Sequence, residues 1–381
     1  MKNLDDKRIA IIGGGPGGLA LARLLQTAGA DVNVYERDYD ASARPQGATL
    51  DLHEESGLKA LEAAGLMDAF WLSYRPGADR LHLMDKDANS IMEENVAGEG
   101  DSSRPEIDRG PLQTLLLESL QPGTVVWDSH FLSMTQSNQV WKLDFKNGTE
   151  VFADIVIAAD GANSKIRPYL TDIKAFYSGV TAIEGAVYNS AINSPQVHKL
   201  LNGGKIFAFG DSKSLIVSSK GDGSLVFYPS FKTDEKWVQQ SGIDFTDSQQ
   251  VLDWFKTEYA GWDDVWQELF ENGTGTFIPR PLYCMPFDQT WEAQFNLTML
   301  GDAAHLMPPF AGEGVNMAML DALELSVTLL SDKYADLQTA IAAYEVDMRS
   351  RASAIAQITM ESTDALHSPG AIAYLKAVVG A

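Results

Sequence analysis

The stretch RIAIIGGGPGGLALARLLQTAGADVNVYE, residues 8–36, decides the fold of this chain. Its first residues, 8–12, are mostly apolar and predict a buried strand. Glycines follow at once with the spacing Gly13-x-Gly15-x-x-Gly18, and an amphipathic helix pattern comes next. Such a glycine motif is weak evidence by itself, so its context has to be examined.

The end of the same stretch supplies that context. A second strand is predicted over 31–35, and Glu36 ends it. A strand, a glycine turn, a helix and an acidic residue at the end of the next strand together indicate a dinucleotide site. The glycines let the backbone approach a pyrophosphate, the helix N-terminus stabilises its charge, and Glu36 accepts hydrogen bonds from ribose hydroxyls. The alternative is a glycine-rich turn beside a surface glutamate.

Two further predicted strands each end at an aspartate next to a glycine. Asp160-Gly161 follows the apolar run 155–159, and Gly301-Asp302 follows the run 297–300. Ligands of open α/β sheets bind at the carboxyl ends of strands, where the Asp302 carboxylate suits a ligand hydroxyl. A helix predicted from about residue 315 offers free N–H groups and a partial positive charge to an anionic atom. An irregular loop before a buried helix is the alternative.

Length and charge limit the classes of function. The 381 residues allow two domains, which can be interleaved, and the net charge of −23 argues against nucleic acid and anionic membrane surfaces as partners. The single cysteine, Cys284, cannot form an internal disulfide and indicates a small buried hydrophobe in a reducing compartment. Without a signal-peptide pattern or a membrane-spanning apolar run, we expect a cytoplasmic monomer that acts on a small molecule.

The sequence pattern changes in the middle of the chain. Strand-like runs separated by Gly/Asp turns fill 177–280 and predict a separate sheet. A helix-like segment, 249–270, carries three tryptophans, which are expected to lie in the hydrophobic core of this region. Helical patterns follow over 319–330 and 335–363, and the helix near 344–356 is expected to brace the two domains.

These patterns predict an α/β fold, in which a Rossmann-like nucleotide domain is interleaved with a β-sheet substrate domain and followed by a long C-terminal bracing helix. The predicted boundaries are 1–75, 104–176 and 281–332 for the nucleotide domain, 76–103 and 177–280 for the substrate domain, and 333–381 for the C-terminal helical segment.

The local sequence around Asp108, Arg109 and His53 indicates either a structural position or a ligand contact. Asp108 is a good N-cap for a helix predicted over 111–120. Arg109 lies in the first turn, where a cation opposes the helix dipole, a placement that can mark a ligand contact. His53 is expected to be exposed, as a lone histidine after a short strand usually is.

The glycine motif with Glu36, Asp160-Gly161 and Gly301-Asp302 with Pro308-Pro309 form one constellation. It resembles the single-component, FAD-dependent monooxygenases of class A, which have a p-hydroxybenzoate-hydroxylase-like substrate domain. The resemblance runs nearly end to end. Within that family the chain looks most like the tetracycline-inactivating Tet(X)-type enzymes. The segments that carry this likeness are 11–15, 34–37, 49–53, 105–109 and 301–316.

The resemblance implies a set of cofactor-binding residues. Gly13, Gly15, Pro16 and Gly18 would hold the pyrophosphate end of FAD, and Glu36 and Arg37 would hold its adenosine. Asp302 would bind the ribityl chain, Arg109 would contact the flavin, and Gly312, Gly314 and Asn316 would line the isoalloxazine. Arg44 and Asp51 would lie near the flavin where nicotinamide approaches, and Asp160-Gly161 is the motif that the family links to both FAD and NADPH.

The family's mechanism needs no catalytic side chain. NADPH, a transient co-substrate, gives a hydride to the flavin, and oxygen forms a C4a-hydroperoxide that hydroxylates an aromatic or polycyclic substrate. The cofactor carries this chemistry, and the protein has to position the substrate and exclude water. The resemblance therefore predicts no nucleophile or triad, and its absence does not argue against an enzyme.

The chain departs from the tetracycline-inactivating enzymes at the substrate sheet. Those enzymes hold the drug with a Gln, an Arg and a His, and a loose alignment places Glu184, Lys205 and Val226 there. Arginine and lysine are not equivalent, and the loss of a histidine changes polar recognition. Glu184, Lys205 and Phe310 are candidates for the pocket, with surface charges and a core aromatic as the alternatives.

Two other functions are compatible with this constellation. A flavin-dependent reductase or oxidase of the same fold would consume NADPH or NADH without an oxygenated product. A non-catalytic binder is the third possibility, since related folds include lipid-chaperoning proteins. The intact glycines, Glu36 and Asp302 argue against the binder.

Overall fold

A computed structural model of the chain describes residues 4–43, 47–94, 104–273 and 276–379. Arg44, one of the predicted cofactor-binding residues, therefore lies outside the described residues. The strands are β1 (Arg8–Ile12), β2 (Asp31–Tyr35), β3 (Thr49–Asp51), β4 (Leu81–Asp85), β5 (Ser90–Glu94), β6 (Glu106–Asp108), β7 (Val125–Val126), β8 (Phe131–Ser137), β9 (Val140–Phe145), β10 (Glu150–Ala153), β11 (Ile155–Ala158), β12 (Phe176–Val187), β13 (Lys205–Gly210), β14 (Lys213–Ser219), β15 (Leu225–Lys232), β16 (Ile278–Cys284) and β17 (Leu297–Met299). The helices are α1 (Pro16–Thr27), α2 (Gly57–Ala63), α3 (Met67–Ser73), α4 (Arg109–Glu118), α5 (Ser190–Asn193), α6 (Pro195–Leu201), α7 (Trp237–Gln240), α8 (Ser248–Glu258), α9 (Glu268–Glu271), α10 (Asp302–His305), α11 (Gly314–Leu330), α12 (Leu337–Leu366) and α13 (Ala371–Val379).

The first sheet is parallel and has the strand order β17-β11-β1-β2-β7. Its central strands, β1 and β11, are almost entirely buried, because they share one apolar core with α1, α11 and a three-stranded antiparallel sheet of the order β10-β9-β8. Helix α1 connects β1 to β2 and packs against α11. Strand β1 therefore has neighbours on both sides that come from different parts of the chain, which creates the switch point where ligands bind.

The second sheet has seven strands in the order β16-β12-β15-β14-β13-β4-β5. One face packs on an apolar core that includes Ile183, Phe227 and Trp266. The opposite face turns toward the nucleotide domain, because Lys205 of β13 makes an ion pair with Glu106 of β6. A short antiparallel ribbon of β3 and β6 thus lies between the two large sheets.

This architecture confirms the predicted α/β class, with a Rossmann-like domain, a second sheet and C-terminal helices. The residue boundaries of the domains stay a prediction. The long bracing helix is α12, which has 30 residues. No helix of the described ranges is both long and apolar enough to cross a bilayer.

One predicted helix was wrong. The segment 249–270 is interrupted after α8, at Gly261, which has a φ of +85° that only glycine adopts readily. A 3₁₀ turn, Asp264–Gln267, and α9 follow. The tryptophan prediction for the same segment is confirmed for Trp262 and Trp266, which are buried, whereas Trp254 is only partly covered.

Candidate FAD site

The carboxyl ends of four strands, β1, β2, β11 and β17, meet at one edge of the parallel sheet. Backbone hydrogen bonds run from Gly13 N to Tyr35 O (2.9 Å), from Ala159 N to Ile12 O (2.8 Å) and from Leu300 N to Ala158 O (2.9 Å). The first joins the ends of β1 and β2, and the other two join β1 to β11 and β11 to β17. The three motifs of the sequence, which lie far apart in the chain, are therefore neighbours at this edge.

The glycine loop between β1 and α1 owes its shape to close backbone contacts. Gly13 has a φ of +113°, and a Cβ there would lie 2.2 Å from the carbonyl oxygen of Ala159. A Cβ on Gly18 would lie equally close, 2.2 Å, to the carbonyl oxygen of Gly13. A Cβ on Gly15 would meet nothing within 4 Å, and Pro16 begins α1 directly after it. The first and last glycines are thus needed for packing, and the middle one leaves an open surface at the N-terminus of α1.

Glu36 lies beside this loop and is 7% exposed. Its Oε2 accepts a hydrogen bond from Gly14 N at 2.6 Å, and its Oε1 accepts one from Asp38 N at 3.1 Å. Two backbone donors therefore fix the carboxylate at the end of β2, where a ribose hydroxyl would be received. The neighbouring Arg37 is exposed.

Asp160 ends β11 with one carboxylate oxygen satisfied and one not. Its Oδ2 accepts from Lys165 N at 2.8 Å, whereas Oδ1 is buried and has no hydrogen-bond partner among the described residues. Burial raises the pKa of Asp160. Such an unpartnered oxygen favours a role toward a ligand, because buried polar atoms are nearly always paired. Gly161 follows with a φ of +81°.

Arg167 connects the Asp160-Gly161 turn to the next strand end. It is buried and donates to the carbonyl oxygens of Ala303 (3.0 Å) and Ala304 (2.9 Å) and to Gln289 Oε1 (2.7 Å). Burial lowers the pKa of Arg167 to about 10. The Arg167 guanidinium thus donates hydrogen bonds to carbonyl oxygens of α10 that have no partner within so short a helix.

Asp302 begins α10 after Gly301, whose φ is +59° and whose added Cβ would lie 3.0 Å from Ala318 Cβ. The Asp302 side chain is accessible to solvent, although neighbouring protein atoms displace part of the water around it. This surrounding protein raises the pKa of Asp302, while the positive charges of His305 and Arg109 act in the opposite direction.

A buried ionic cluster below Asp302 was missed by the sequence analysis. Asp321 is fully buried, and its Oδ2 accepts from Gly301 N (2.9 Å) and pairs with His305 Nε2 (2.6 Å). Its Oδ1 accepts from Arg351 (2.6 Å), which also pairs with Glu324 (2.5 Å). The available signal was an aspartate within the apolar stripe of α11, a position that demands partners.

The pKa values in this cluster follow from its charges. Burial favours the neutral acid of Asp321, but His305 and Arg351 hold the pKa of that carboxyl below its usual range. Burial also opposes protonation of His305, yet Asp321 raises the pKa of that imidazole above its usual value. The cluster is therefore ionised and fixes the Gly301-Asp302 turn from below.

The start of α11 is joined to the β3–β6 ribbon. Asn316 is fully buried, donates to Asp51 O (2.9 Å) and accepts from His53 N (3.0 Å). The Asp51 carboxylate pairs with His53 Nε2 (3.0 Å) and lies 3.4 Å from the position of a Cβ on Gly312. The expectation that His53 is exposed was wrong: it is 1% exposed, because it fills the space between Asp51 and α11. Gly314 is the first residue of α11, with open space around its Cα.

Asp108 and Arg109 follow β6. The predicted capping role of Asp108 was wrong, because its carboxylate pairs with Arg75 (3.1 Å) and accepts from Gly221 N (2.8 Å) instead of from the helix. Arg109 begins α4, and its positive charge acts on Asp302 and on Tyr228 of the seven-stranded sheet. Its Nε and the Tyr228 hydroxyl lie 3.6 Å and 3.9 Å from the same point, the position of a Cβ on Gly47, so Arg109 lies in the recess between the two large sheets.

The three substrate-sheet residues of the sequence analysis lie on the face that turns toward this recess. Glu184 pairs with Arg280 (2.5 Å), Lys205 pairs with Glu106, and Val226 is buried. Phe310 lies in the 3₁₀ turn Pro309–Ala311 and packs edge-on against His367, with 4.9 Å between ring centroids. Cys284 is buried, and its pKa is raised to about 11 by burial, as expected of a structural thiol.

The geometry of this edge fits FAD. The open Gly15 surface at a helix N-terminus suits a pyrophosphate, the fixed Glu36 carboxylate suits a ribose, and the accessible Asp302 suits a further polyol. The unpartnered Asp160 Oδ1 supplies one more acceptor. These features define the class, a dinucleotide-binding flavoprotein with a second sheet across the recess.

The chain belongs to the FAD binding domain family, FAD_binding_3, whose model matches residues 6–260 and 285–361. It is an FAD-dependent oxidoreductase. Monooxygenase asqM from Emericella nidulans is 28% identical over 94% of this chain and 95% of its own. The FAD-dependent urate hydroxylase of Mycolicibacterium vanbaalenii is 26% identical over 95% of this chain and 89% of its own.

Solved structures show the same fold. Klebsiella pneumoniae HpxO, complexed with FAD and uric acid, has a TM-score of 0.76 at 22% identity, covering 95% of this chain and 89% of HpxO. The tetracycline destructase Tet(55) has a TM-score of 0.77 at 20% identity, covering 98% of this chain and 95% of its own. At these identities the likeness is one of fold. The special closeness to tetracycline-inactivating enzymes therefore stays a prediction.

Proposed function

We propose that this protein is an FAD-dependent, NAD(P)H-consuming monooxygenase that hydroxylates an aromatic or polycyclic small molecule. The observation that carries the proposal is the recess between two walls. One wall is the strand-end edge that fits FAD, and the other is the outer face of the seven-stranded sheet, with Arg109 between them. Relatives that span nearly the whole chain are named monooxygenases and hydroxylases, which supports the reaction class.

The side chains at the strand-end edge have roles that follow from their positions. Asp302 accepts hydrogen bonds from the sugar-alcohol part of the cofactor, and Glu36 accepts them from its ribose. The free N–H groups at the start of α11, a helix of 17 residues, would stabilise negative charge on a cofactor held by Gly312 and Gly314. Arg109 adds a full positive charge on the other side of the recess.

FAD, when bound, supplies hydride acceptance and oxygen activation. The chain itself has to hold the substrate against the sheet and keep water out of the recess. Aromatic and aliphatic side chains such as Phe207, Ile216 and Phe310 are suited to this task because they present apolar surface to a flat ring. No amino-acid nucleophile is required.

We also propose the finer assignments of the site. Burial raises the pKa of Asp51, but His53 and Lys205 hold it below its usual value, and we assign this carboxylate to the approach of a nicotinamide. The resemblance gives Arg44 the same role. NADPH is the proposed electron donor. Tetracycline is a candidate substrate, supported only by the shared fold with Tet(51) and Tet(55).

The test starts from the purified protein loaded with FAD. NADPH and NADH consumption are measured with and without a panel of aromatic compounds that includes tetracycline, in isotopically heavy O₂, with mass spectrometry of the products. Substrate-stimulated NADPH consumption with one heavy oxygen in the product is expected. Hydride consumption that yields only peroxide or a reduced substrate would instead establish the reductase or oxidase. Protein that retains no FAD would overturn the proposal.

A further inference from the structure

We infer that the aromatic substrate is neutral or carries an amine, not a carboxylate, and that Glu184 is the residue that makes this selection. The inference rests on the proposed function, because it concerns the substrate side of the same recess. It is drawn from the strand register and from the pairing of charges on the sheet.

The strand register places Glu184 in a row of side chains across the sheet. Gly185 pairs with Phe227, which puts Glu184 beside Tyr228 on the adjacent strand. Tyr228 pairs with Ile216, and Ile216 pairs with Phe207. Side chains directly opposite each other in paired strands point to the same face. One row therefore runs from a carboxylate through a phenol to two apolar side chains.

This row faces the recess and not the core of the sheet. The core contains the alternate residues Ile183, Phe227 and Val217. Tyr228 is also affected by the charge of Arg109, and its hydroxyl lies 3.9 Å from the position of a Cβ on Gly47, so the middle of the row reaches the nucleotide domain. A substrate in the recess would lie along the row.

Each described cation on this face already has an acidic partner. Lys205 pairs with Glu106, which is 2% exposed, and Arg280 Nε pairs with Glu184 Oε2 at 2.5 Å. Arg109 of α4 is a further cation among the described residues of the recess, and its charge acts both on Asp302, on the cofactor side, and on Tyr228 in the row. A substrate carboxylate would therefore find no uncommitted cation among the described residues of the sheet.

Glu184 differs from its partner in exposure. Its side chain is 18% exposed, whereas that of Arg280 is 50% exposed. An exposed pair of this kind contributes little free energy, so Arg280 can exchange its partner for water at small cost. Glu184 stays at the recess, where it accepts a hydrogen bond from an amine, amide or phenol and repels a carboxylate. Like charges placed together discriminate strongly between ligands.

The experiment uses the FAD-loaded protein and three naphthalene probes of equal size: 2-naphthoate, 2-naphthamide and 2-naphthylmethylamine. Binding is measured by quenching of probe fluorescence and by the change in the flavin absorption spectrum. The variants are Glu184→Gln and Glu150→Gln, and the second removes the carboxylate of an ion pair with Lys142 in the three-stranded sheet.

We expect 2-naphthoate to bind at least about ten-fold more weakly than the amide and the amine, a difference of about 1.4 kcal/mol. Glu184→Gln should remove most of the preference for the amine and most of the penalty on the carboxylate, while Glu150→Gln should leave the order unchanged. The inference is overturned if the carboxylate binds as well as the other probes, if Glu184→Gln leaves the order unaltered, or if no probe binds.

The proposed function is checked in the same preparation by flavin content and by bleaching of the flavin with NADPH. Protein that holds FAD and is bleached, but shows the wrong order of probes, contradicts only the substrate class. Protein without flavin or without bleaching contradicts the function and the substrate class together.

Discussion

The strand-end edge of the parallel sheet and the outer face of the seven-stranded sheet border the same recess. They differ in whether their polar groups already have partners. At the edge, Asp302 is accessible and one oxygen of Asp160 has no partner among the described residues. On the sheet, Glu184 and Lys205 are each paired. The edge has acceptors available for a ligand, whereas each of these two charged groups of the sheet already has an ionic partner.

This difference indicates that the two walls of the recess recognise their ligands in different ways. The edge can bind a polar cofactor through individual hydrogen bonds, and removing one acceptor weakens cofactor binding by the free energy of that hydrogen bond. The sheet can offer shape, apolar surface and one selective carboxylate, so its recognition depends on what it excludes. The following predictions test this contrast, beginning with the support below the edge, where the largest effect is expected.

Asp321→Asn should lower the free energy of unfolding by about 3–5 kcal/mol, because it leaves His305 and Arg351 buried without their counter-charge. Urea unfolding followed by circular dichroism measures this change. Asp347→Asn, at an exposed position on α12, is the control and should change stability by less than about 0.5 kcal/mol. Equal stability of the two variants would show that the cluster does not support the edge.

Removing the cation from two ion pairs of the sheet, Lys205–Glu106 and Arg280–Glu184, should have unequal effects. Lys205→Met leaves the buried Glu106 unpaired and should cost about 2 kcal/mol. Arg280→Met leaves the partly accessible Glu184 and should cost less than about 1 kcal/mol. Thermal unfolding of the two variants side by side measures the difference, and the reverse order would contradict the assignment of the buried pair.

Asp302→Ala should weaken FAD binding by about 10- to 100-fold, equivalent to about 1.4–2.7 kcal/mol, since a hydrogen bond to a charged acceptor is lost. Flavin fluorescence during titration of the apoprotein gives the affinity. The unfolding of the apoprotein should change little, because the Asp302 side chain is accessible. Asp302→Asn, which keeps one acceptor oxygen, should bind with intermediate affinity, and unchanged flavin content in Asp302→Ala would rule out the predicted contact.

The free energy of unfolding that the His305–Asp321 pair contributes should fall as the pH rises above neutrality. Asp321 raises the pKa of His305 above its usual 6.5, so the folded protein holds a proton that the unfolded chain has already lost. The stabilisation is complete below pH 6.5 and disappears as pH rises through the raised pKa, with a slope of at most about 1.4 kcal/mol per pH unit. Urea unfolding of the wild type and of His305→Asn should converge as pH increases, and a constant difference would contradict a protonated His305.

Local sequence was sufficient to predict the strand-end edge. Gly13, Gly18 and Glu36 lie within one strand–turn–helix–strand unit, and the close contact of Gly18 with the carbonyl oxygen of Gly13 also lies within it, whereas Gly13 itself is packed against Ala159 of β11. The fold class could also be predicted, because two more strands end in the same Asp/Gly pattern.

Partners separated by long stretches of chain could not be predicted in this way. Lys205 and Glu106 are 99 residues apart, and Arg351 and Asp321 are 30 apart. Asp108 was assigned to its nearest helix because capping is local, whereas its actual partner Arg75 comes from a different segment. A tertiary ion pair outweighs a local cap here, and only the assembled structure shows it.

The ion pair of Lys205 and Glu106 also determines where the recess can change its width. It connects β13 to β6 at a buried position, so any separation of the two strands there breaks a desolvated pair. At the other end of the sheet, Glu184 and Arg280 can part and exchange with water at small cost. The recess is therefore stiff next to Arg109 and compliant next to β16, and a bulkier ring system is accommodated by displacement at the β16 end.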